Sequence, residues 1–378
     1  MNTASEASID ARRRAILAAC VKELSYVRRP SIRDKLQALL ADTPDEWLDA
    51  PMDVYGDGVV AVLEAQVAGL LGKPAAAFFP SGIMAQQAGL RVWAARSGND
   101  GVALHPLSHP MTRESNALEV LSGLRPLYLT RQPRNPLAEE VRTADAEFGT
   151  LMLELPLRDA GFVLPSWDEL AATVSAARER GAKVHFDGAR LWECTRHFGR
   201  PLPEIAELAD SVYVSFYKSL GGLSGAALAG PPEFVEEARA WRHRYGGVLF
   251  HQFPAALSAL AGIRDELPRL EAYVEQAGIV AEALRAALTG AVPRFRIRPE
   301  PPHIQQFQLW LPYPVPVLDE AGLRLAEATG LSLFGKWRAV AGESMSMTEL
   351  TVAASAMAWT ANDVRSATAA FIEQVLRG

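Results

Sequence analysis

Short apolar runs alternate along this chain with longer segments whose apolar residues are spaced three and four apart. The first pattern is typical of buried strands and the second of amphipathic helices. Strands are predicted at 75–79, 102–104, 151–155, 184–186, 211–215 and 225–229. Helices are predicted at 7–24, 31–41, 59–71, 83–96, 167–180, 231–244 and 253–289. This alternation predicts an α/β fold with a mostly parallel sheet and helices on both faces.

The pattern changes in the last part of the chain, where 295–298 and 306–309 alternate as half-buried strands do. Helical spacing returns at 318–328 and 361–377. A chain of 378 residues also exceeds what one hydrophobic core usually holds. We therefore expect an N-terminal helical segment at 1–50, a large α/β domain at 51–285 and a smaller α+β C-terminal domain at 286–378.

The composition is that of a soluble globular protein, with 49% hydrophobic and 22% charged residues. The net charge of −6 disfavours nucleic acid or an anionic membrane as a partner. Two cysteines, Cys20 and Cys194, are too few for a disulfide framework or a metal cluster and fit a reducing compartment. Neither a signal segment nor an apolar run of about 18 residues is found, so we expect a cytoplasmic protein.

The turn after the predicted strand 75–79 contains Ser81, Gly82 and Ile83 and leads into a predicted helix. Small residues at this point expose backbone N–H groups at the positive end of the helix, where phosphate binds well. The same residues suit an ordinary helix cap, so the turn alone leaves both interpretations open.

An acidic residue, Asp187, directly follows the predicted strand 184–186. Ligands of open α/β sheets bind at this end of the strands. A buried acid there needs a partner, and a protonated pyridine nitrogen is a suitable one. The alternative is that Asp187 caps the next helix or pairs with Arg190.

A lysine, Lys218, follows the apolar strand 211–215 and precedes several small residues. Lysines are rarely buried unless they are paired or functional, and burial lowers their pKa, as a Schiff-base amine requires. The alternative is an exposed loop lysine. Upstream, His105 and His109 are candidates for stacking on a cofactor ring or for base catalysis, unless they are structural.

These segments occur in the order phosphate turn, histidine, aspartate, lysine, and Lys218 follows Asp187 by 31 positions. In that order, and in the runs 53–57, 187–190, 210–213 and 218–221, the chain resembles the L-threonine aldolase and β-eliminating lyase family. The resemblance covers about residues 50–260. It implies the aspartate aminotransferase fold (fold type I), with a seven-stranded sheet in the large domain and pyridoxal 5'-phosphate (PLP) as the cofactor. It also implies an amino-acid substrate and a homodimer or homotetramer.

The resemblance also implies roles for individual residues. Lys218 would form the Schiff base with the cofactor aldehyde, and Asp187 would pair with the pyridine nitrogen. His109 would stack on the ring; it is preferred to His105 because it stands five residues before Glu114, as the family's stacking histidine does before its own glutamate. The remaining implied roles are phosphate binding by Ser81, Gly82 and Ile83, substrate or cofactor binding by Arg190, and substrate binding by Tyr55, which would lie beside the site at a subunit interface.

The chain departs from the family pattern at several positions. Ile83 stands where the family has threonine, and Leu157 stands where it has a second active-site histidine. Arg158 is a nearby replacement for charge, and His251 is the nearest polar residue to a missing family arginine, so both are candidate substrate-binding residues.

Three functions follow from this pattern and its departures. The leading one is cleavage of the Cα–Cβ bond of a β-hydroxy-α-amino acid to glycine and an aldehyde. A second is a PLP enzyme that breaks Cα–H, which the loss of the histidine at Leu157 favours. A third is a catalytically weak PLP-binding homologue. An NAD enzyme is disfavoured, because no G-x-G-x-x-G follows an early strand.

Overall fold

The computed structural model describes residues 3–25, 30–340 and 342–377. The helices are α1 (Thr3–Ala19), α2 (Ile32–Asp42), α3 (Asp45–Leu48), α4 (Val59–Leu70), α5 (Gly82–Ser97), α6 (His109–Thr112), α7 (Ala117–Val120), α8 (Ala138–Arg142), α9 (Trp167–Glu179), α10 (Thr195–Phe198), α11 (Leu202–Glu207), α12 (Pro232–Arg244), α13 (Phe253–Asp265), α14 (Leu270–Leu288), α15 (Val315–Thr329) and α16 (Ala361–Arg377). The strands are β1 (Lys22–Glu23), β2 (Ala75–Phe79), β3 (Gly101–Leu104), β4 (Arg125–Tyr128), β5 (Thr150–Glu154), β6 (Lys183–Gly188), β7 (Ser211–Ser215), β8 (Ala226–Gly230), β9 (Arg296–Arg298), β10 (Gln306–Leu311), β11 (Leu331–Ser332), β12 (Arg338–Ala339) and β13 (Ser346–Thr351).

The larger of two compact units spans Ile32–Arg269 and contains a seven-stranded sheet in the order β2-β8-β7-β6-β5-β3-β4. Only β8 runs antiparallel to its neighbours; the other strands share one direction. The strands β5, β6 and β7 are apolar and almost entirely buried, as strands covered on both faces are. The expected fold class, with a mostly parallel seven-stranded sheet and a smaller C-terminal domain, is confirmed.

The smaller unit combines Met1–Ser31 with Leu270–Gly378. Its antiparallel sheet has the order β12-β13-β10-β9, and β1 pairs in parallel with β11. Apolar side chains of β10, α14 and α16 share one core, in which the ring of Phe371 contacts those of Phe334 and Trp337.

The unit boundary lies at Leu270, earlier than the expected boundary between 285 and 286. The helix α14 belongs to the smaller unit because its buried face packs into the core of that unit. The predicted helix 253–289 is also two helices, since Pro268 lies in a short 3₁₀ turn between α13 and α14 and lacks the N–H that a continuous helix requires.

The predicted elements differ from the structure in other places as well. The predicted helix 7–24 ends at Ala19, and the residues after it form the short strand β1. The strand β4 was not predicted, because its residues Arg-Pro-Leu-Tyr lack an apolar run. Among the described residues, no helix combines the length and apolar character needed to cross a membrane.

Replacing Phe371 by alanine is expected to lower the free energy of unfolding by roughly 3–5 kcal/mol, because a fully buried ring is removed from the core. The matched control is Leu376→Ala on the same helix, where the side chain is 68% exposed and the expected change is below about 0.5 kcal/mol. Urea unfolding followed by circular dichroism measures both. Equal effects of the two substitutions would contradict the assigned core.

Candidate active site

Three polar residues lie in one row where β5, β6 and β7 end. Asp187 is the register partner of Glu154 on one side and of Tyr213 on the other. Residues paired in this way point to the same face of a sheet. One face of the sheet therefore carries two carboxyl groups and a phenol near its carboxyl edge, where ligands of α/β sheets bind.

A cavity of about 420 Å³ opens at this row. It is lined by Pro80, Ser81, Gly82, Ile83, Gln86, His109, Arg113, Glu114, Asp187, Tyr213, Tyr217, Lys218, Leu223, Ser224 and Gly225. A smaller cavity of about 50 Å³ shares His109, Asp187 and Lys218 with it and is lined by Glu154, Arg158 and Arg190 as well. Tyr55 and His251 are not among the residues that line these two cavities.

The turn with Ser81 and Gly82 begins helix α5. Ser81 has extended backbone angles, and its hydroxyl accepts a hydrogen bond from the Met84 N–H at 3.3 Å, as an N-cap residue does. Gly82 has no room for a side chain, because a Cβ built on it would lie 2.1 Å from the Tyr213 hydroxyl oxygen. The helix N-terminus and the cavity therefore coincide, and the cap and the expected phosphate seat are the same turn.

The carboxyl group of Asp187 is 2% exposed, and its Oδ1 accepts the Ala189 N–H at 3.1 Å. Burial raises the pKa of Asp187, whereas the nearby positive charges of Lys218 and His109 lower it. A cation beside this carboxylate offsets the cost of burying its charge.

The amine of Lys218 is half-buried at the same cavity. The pKa of Lys218 is lowered to about 8, mainly by burial and also by the charge of Arg190, while the charges of Asp187 and Glu154 oppose the change. A much larger fraction of this amine is neutral near pH 8 than of an ordinary lysine with a pKa of about 10.4. A neutral amine is the nucleophile that condenses with an aldehyde.

Two glutamates hold His109. The Nδ1 of the ring lies 2.8 Å from Glu114 Oε1, and the backbone N–H donates to Glu154 Oε2 at 2.6 Å. The hydrogen bond to Glu114 raises the pKa of His109, against the opposing effect of burial. In contrast, both ring nitrogens of His105 bond to backbone groups, of Gln132 and Leu107, and His105 does not line the cavity.

Sequence reasoning missed Glu154 as a member of the site. Its two carboxyl oxygens accept the backbone N–H groups of His109 and Arg158, so one side chain joins two of the loops at the cavity. Burial raises the pKa of Glu154 to about 7, with a further contribution from Asp187. Gln86, Tyr213 and Tyr217 were also missed, and the strand register and helix spacing that place them become visible only in the fold.

The position of the missing family histidine, Leu157, is fully buried. Its backbone forms two hydrogen bonds with Val163, at 3.0 and 3.3 Å. The neighbouring Arg158 lines the smaller cavity instead. Arg190 lines it too, and its Nε is buried without a hydrogen-bond partner among the described residues.

The segment with Tyr55 packs on the start of helix α13. The ring of Tyr55 is exposed and contacts Phe250 edge-on, with 5.3 Å between ring centroids. His251 Nδ1 bonds to the backbone oxygen of Asp53. The Asp53 carboxylate accepts the backbone N–H groups of Gln252 and Phe253. These contacts fix the segment but leave the roles of Tyr55 and His251 as predictions.

Comparison with known proteins gives consistent matches. The family model of beta-eliminating lyases matches residues 50–301. The low specificity L-threonine aldolase of Escherichia coli K12 is 30% identical over 270 residues, which are 69% of this chain and 78% of that protein. Two solved structures cover 96% of this chain and 99% of their own, with 31% and 32% identity and TM-scores of 0.88 and 0.87. Both are of proteins named as putative enzymes, an L-allo-threonine aldolase from Listeria monocytogenes and an aromatic amino acid beta-eliminating lyase/threonine aldolase from Exiguobacterium.

These likenesses agree with the fold and with the chemistry of the cavity, and they make the chain a PLP-dependent lyase of fold type I. Since the family model matches well over half of the residues, the chain belongs to the beta-eliminating lyase family.

The residues at the cavity fit PLP. The turn of Ser81 and Gly82 lies at the cavity and begins helix α5, so it presents backbone N–H groups to an anion there. Lys218 would offer an amine with a lowered pKa, Asp187 would offer a buried acceptor for a protonated ring nitrogen, and Arg190 would offer its buried Nε donor, which has no partner among the described residues.

The substitution Gly82→Ala is expected to weaken PLP binding and to lower the free energy of unfolding by roughly 1–3 kcal/mol, because the added methyl group collides with Tyr213. Adding Tyr213→Phe to it should restore part of the loss, since the nearest colliding atom is removed. The control is Gly69→Ala within helix α4, where a Cβ meets no atom within 4 Å. Absorbance of bound PLP and urea unfolding measure the effects; Gly82→Ala with wild-type values in both would contradict this account of the turn.

Proposed function

We propose that the chain cleaves the Cα–Cβ bond of a β-hydroxy-α-amino acid to give glycine and an aldehyde. The observation that carries the proposal is the meeting of Lys218, Asp187 and His109 at one cavity. Relatives named as L-threonine and L-allo-threonine aldolases support this choice of reaction.

Bound PLP supplies an aldehyde that condenses with amines and a protonated ring that accepts the electron pair of the broken bond. We assign the aldehyde end to Lys218, the ring nitrogen to Asp187 and the ring face to His109. The phosphate belongs to the turn of Ser81, Gly82 and Ile83, where Ile83 supplies its backbone N–H without the hydroxyl of the family threonine.

The residues around the cavity then have separate tasks. Asp187 holds a proton on the ring nitrogen. Arg190 binds the substrate carboxylate, with Arg158 beside it, because guanidinium groups bind carboxylates through paired hydrogen bonds. His109 accepts the proton of the β-hydroxyl group at Nε2, since Nδ1 is held by Glu114 and the raised pKa makes the ring a stronger base.

A second candidate reaction is the breaking of Cα–H, as in racemisation, β-elimination or transamination. The observation that favours it is the buried side chain of Leu157, which cannot accept a proton where the family has a histidine. A PLP-binding homologue with weak catalysis is the third candidate for the same reason.

A panel of β-hydroxy-α-amino acids, in both configurations at Cα and Cβ, tests the reaction with mass identification of products. We expect glycine and an aldehyde in equal amounts from at least one substrate. Lys218→Ala should lose both the visible absorbance of PLP and the activity. The control Lys183→Ala changes an exposed lysine at the opposite end of the strand that carries Asp187, and it should keep both.

Other products of the panel decide between the candidates. Racemised substrate, a keto acid or ammonia without aldehyde would establish the Cα–H reaction. A visible PLP band without turnover of any substrate would establish the weak homologue. A colourless protein that gains no band with added PLP would contradict the cofactor site itself.

We also propose that the chain acts as a homodimer or homotetramer. Apolar side chains of the larger unit are exposed, among them Ile83, Tyr217 and Leu223 at the cavity and Tyr55 and Phe250, which contact each other before helix α13. Exposed apolar side chains of this kind support an interface with another chain.

Light scattering during gel filtration should give a mass of at least two chains, and Phe250→Asp should lower it. Leu376→Asp, at an exposed apolar position in the smaller unit, is the control and should leave the mass unchanged. A fully active wild-type monomer would contradict the proposal.

The proposed location is the cytoplasm. Both cysteines, Cys20 and Cys194, are buried and form no disulfide, as is usual in a reducing compartment.

A further inference from the structure

Four buried polar side chains form a chain of hydrogen bonds beside the cavity. Trp93 Nε1 lies 2.7 Å from Ser211 Oγ, which lies 2.7 Å from His185 Nδ1. His185 Nε2 lies 2.6 Å from Gln86 Oε1. The four residues are each exposed by 2% or less, so these bonds are shielded from water. We call this set the Trp93–Gln86 relay.

The fold brings the relay together from three elements. His185 and Ser211 are register partners on β6 and β7. Gln86 and Trp93 lie seven residues apart on α5, which is close to two turns, so they share one face of this helix. The helix packs on both strands, and His185 precedes Asp187 by two positions on the same face of β6.

The donor groups determine the direction of every bond in the relay. The indole N–H of Trp93 can only donate, so the Ser211 oxygen accepts. The hydroxyl hydrogen of Ser211 then has His185 Nδ1 as its acceptor among the described residues. His185 is neutral, because burial lowers its pKa to about 3, and its one ring hydrogen is on Nε2 because Nδ1 accepts from Ser211 and Nε2 faces the acceptor oxygen of Gln86. That N–H donates to Gln86 Oε1.

This direction leaves the amide NH₂ of Gln86 pointing away from His185. Gln86 is 1% exposed, and its Nε2 has no hydrogen-bond partner among the described residues. Gln86 also lines the large cavity. A buried donor without an acceptor is unfavourable, and nearly all such groups in folded proteins find a partner. An acceptor atom of a molecule bound in the cavity would complete the hydrogen bonding of this amide.

We propose that Gln86 is a further cofactor-binding residue, whose amide Nε2 donates a hydrogen bond to an oxygen of bound PLP and is oriented for this by Trp93, Ser211 and His185. The inference rests on the proposed cofactor site. PLP has two kinds of acceptor oxygen, on the phosphate and on the phenol, and either satisfies the chemistry of the amide donor.

Two variants of Gln86 test the inference through the affinity of the apoenzyme for PLP, measured by absorbance titration. Gln86→Glu keeps an acceptor for His185 but removes the donor, and Gln86→Met removes both. We expect each to raise the dissociation constant of PLP at least tenfold, which corresponds to about 1.4 kcal/mol. The control is Gln276→Met, a buried glutamine in the smaller unit, which should leave this constant unchanged.

Melting of the apoprotein separates binding from folding, because a purely structural glutamine would change stability and not the affinity of the folded protein. Repeating the titration with pyridoxal, which lacks the phosphate, identifies the acceptor. A loss of affinity that disappears with pyridoxal assigns the phosphate, and one that persists assigns the phenolic oxygen; both support the inference.

Folded Gln86 variants with PLP affinity within twofold of the wild type would overturn it. If neither variant folds, a structure of the wild-type holoenzyme decides: the inference requires a PLP oxygen within about 3.5 Å of Gln86 Nε2, and its absence is decisive against it. Failure of the wild type to bind PLP at all would instead contradict the proposed function.

Discussion

The site depends on the balance between burial and nearby positive charge at one carboxyl group, that of Asp187. Burial raises the pKa of Asp187 and so favours its neutral form. The positive charges of Lys218 and His109 act in the opposite direction, as a protonated ring nitrogen would. The same burial lowers the pKa of Lys218 to about 8. Burial at this edge of the sheet thus favours a cation beside Asp187, and it makes the amine of Lys218 a better nucleophile.

The geometry of this edge depends on residues that lie behind it. Glu154 binds the backbone at His109 and at Arg158, and Glu114 binds the ring of His109. Glu114 is held in turn by Gln87, whose amide donates to Oε2 at 3.0 Å. A buried acid that accepts two or more N–H groups has few alternative positions, so the loops around the cavity have few as well. The hydrogen bonds of the Trp93–Gln86 relay fix the side-chain amide of Gln86 in the same way.

Much of the fold follows from local patterns, and the site follows only in part. The strands β5, β6 and β7 are short apolar runs that differ from the helices in period, and Asp187 and Lys218 stand close behind such runs. In contrast, Glu154 ends β5, whose sequence is that of an ordinary buried strand. Glu154 is recognised as part of the site only because it is the register partner of Asp187 on β6. Gln86 depends on the contact of a helix with two strands. Neither pairing nor contact leaves a periodic signal in the sequence.

The reaction at this site is decided by where the proton of the substrate goes. The chain after β5 is anchored by the backbone of Leu157 on Val163 and by the Arg158 N–H on Glu154. With an apolar side chain at 157 buried in this loop, the base has to come from the groups that remain at the two cavities. In the proposed function Lys218 is assigned to the aldehyde end of the cofactor, and Glu154 already accepts two backbone N–H groups. His109 has one ring nitrogen held by a carboxylate and one left to accept a proton, and this asymmetry supports its proposed role as the base.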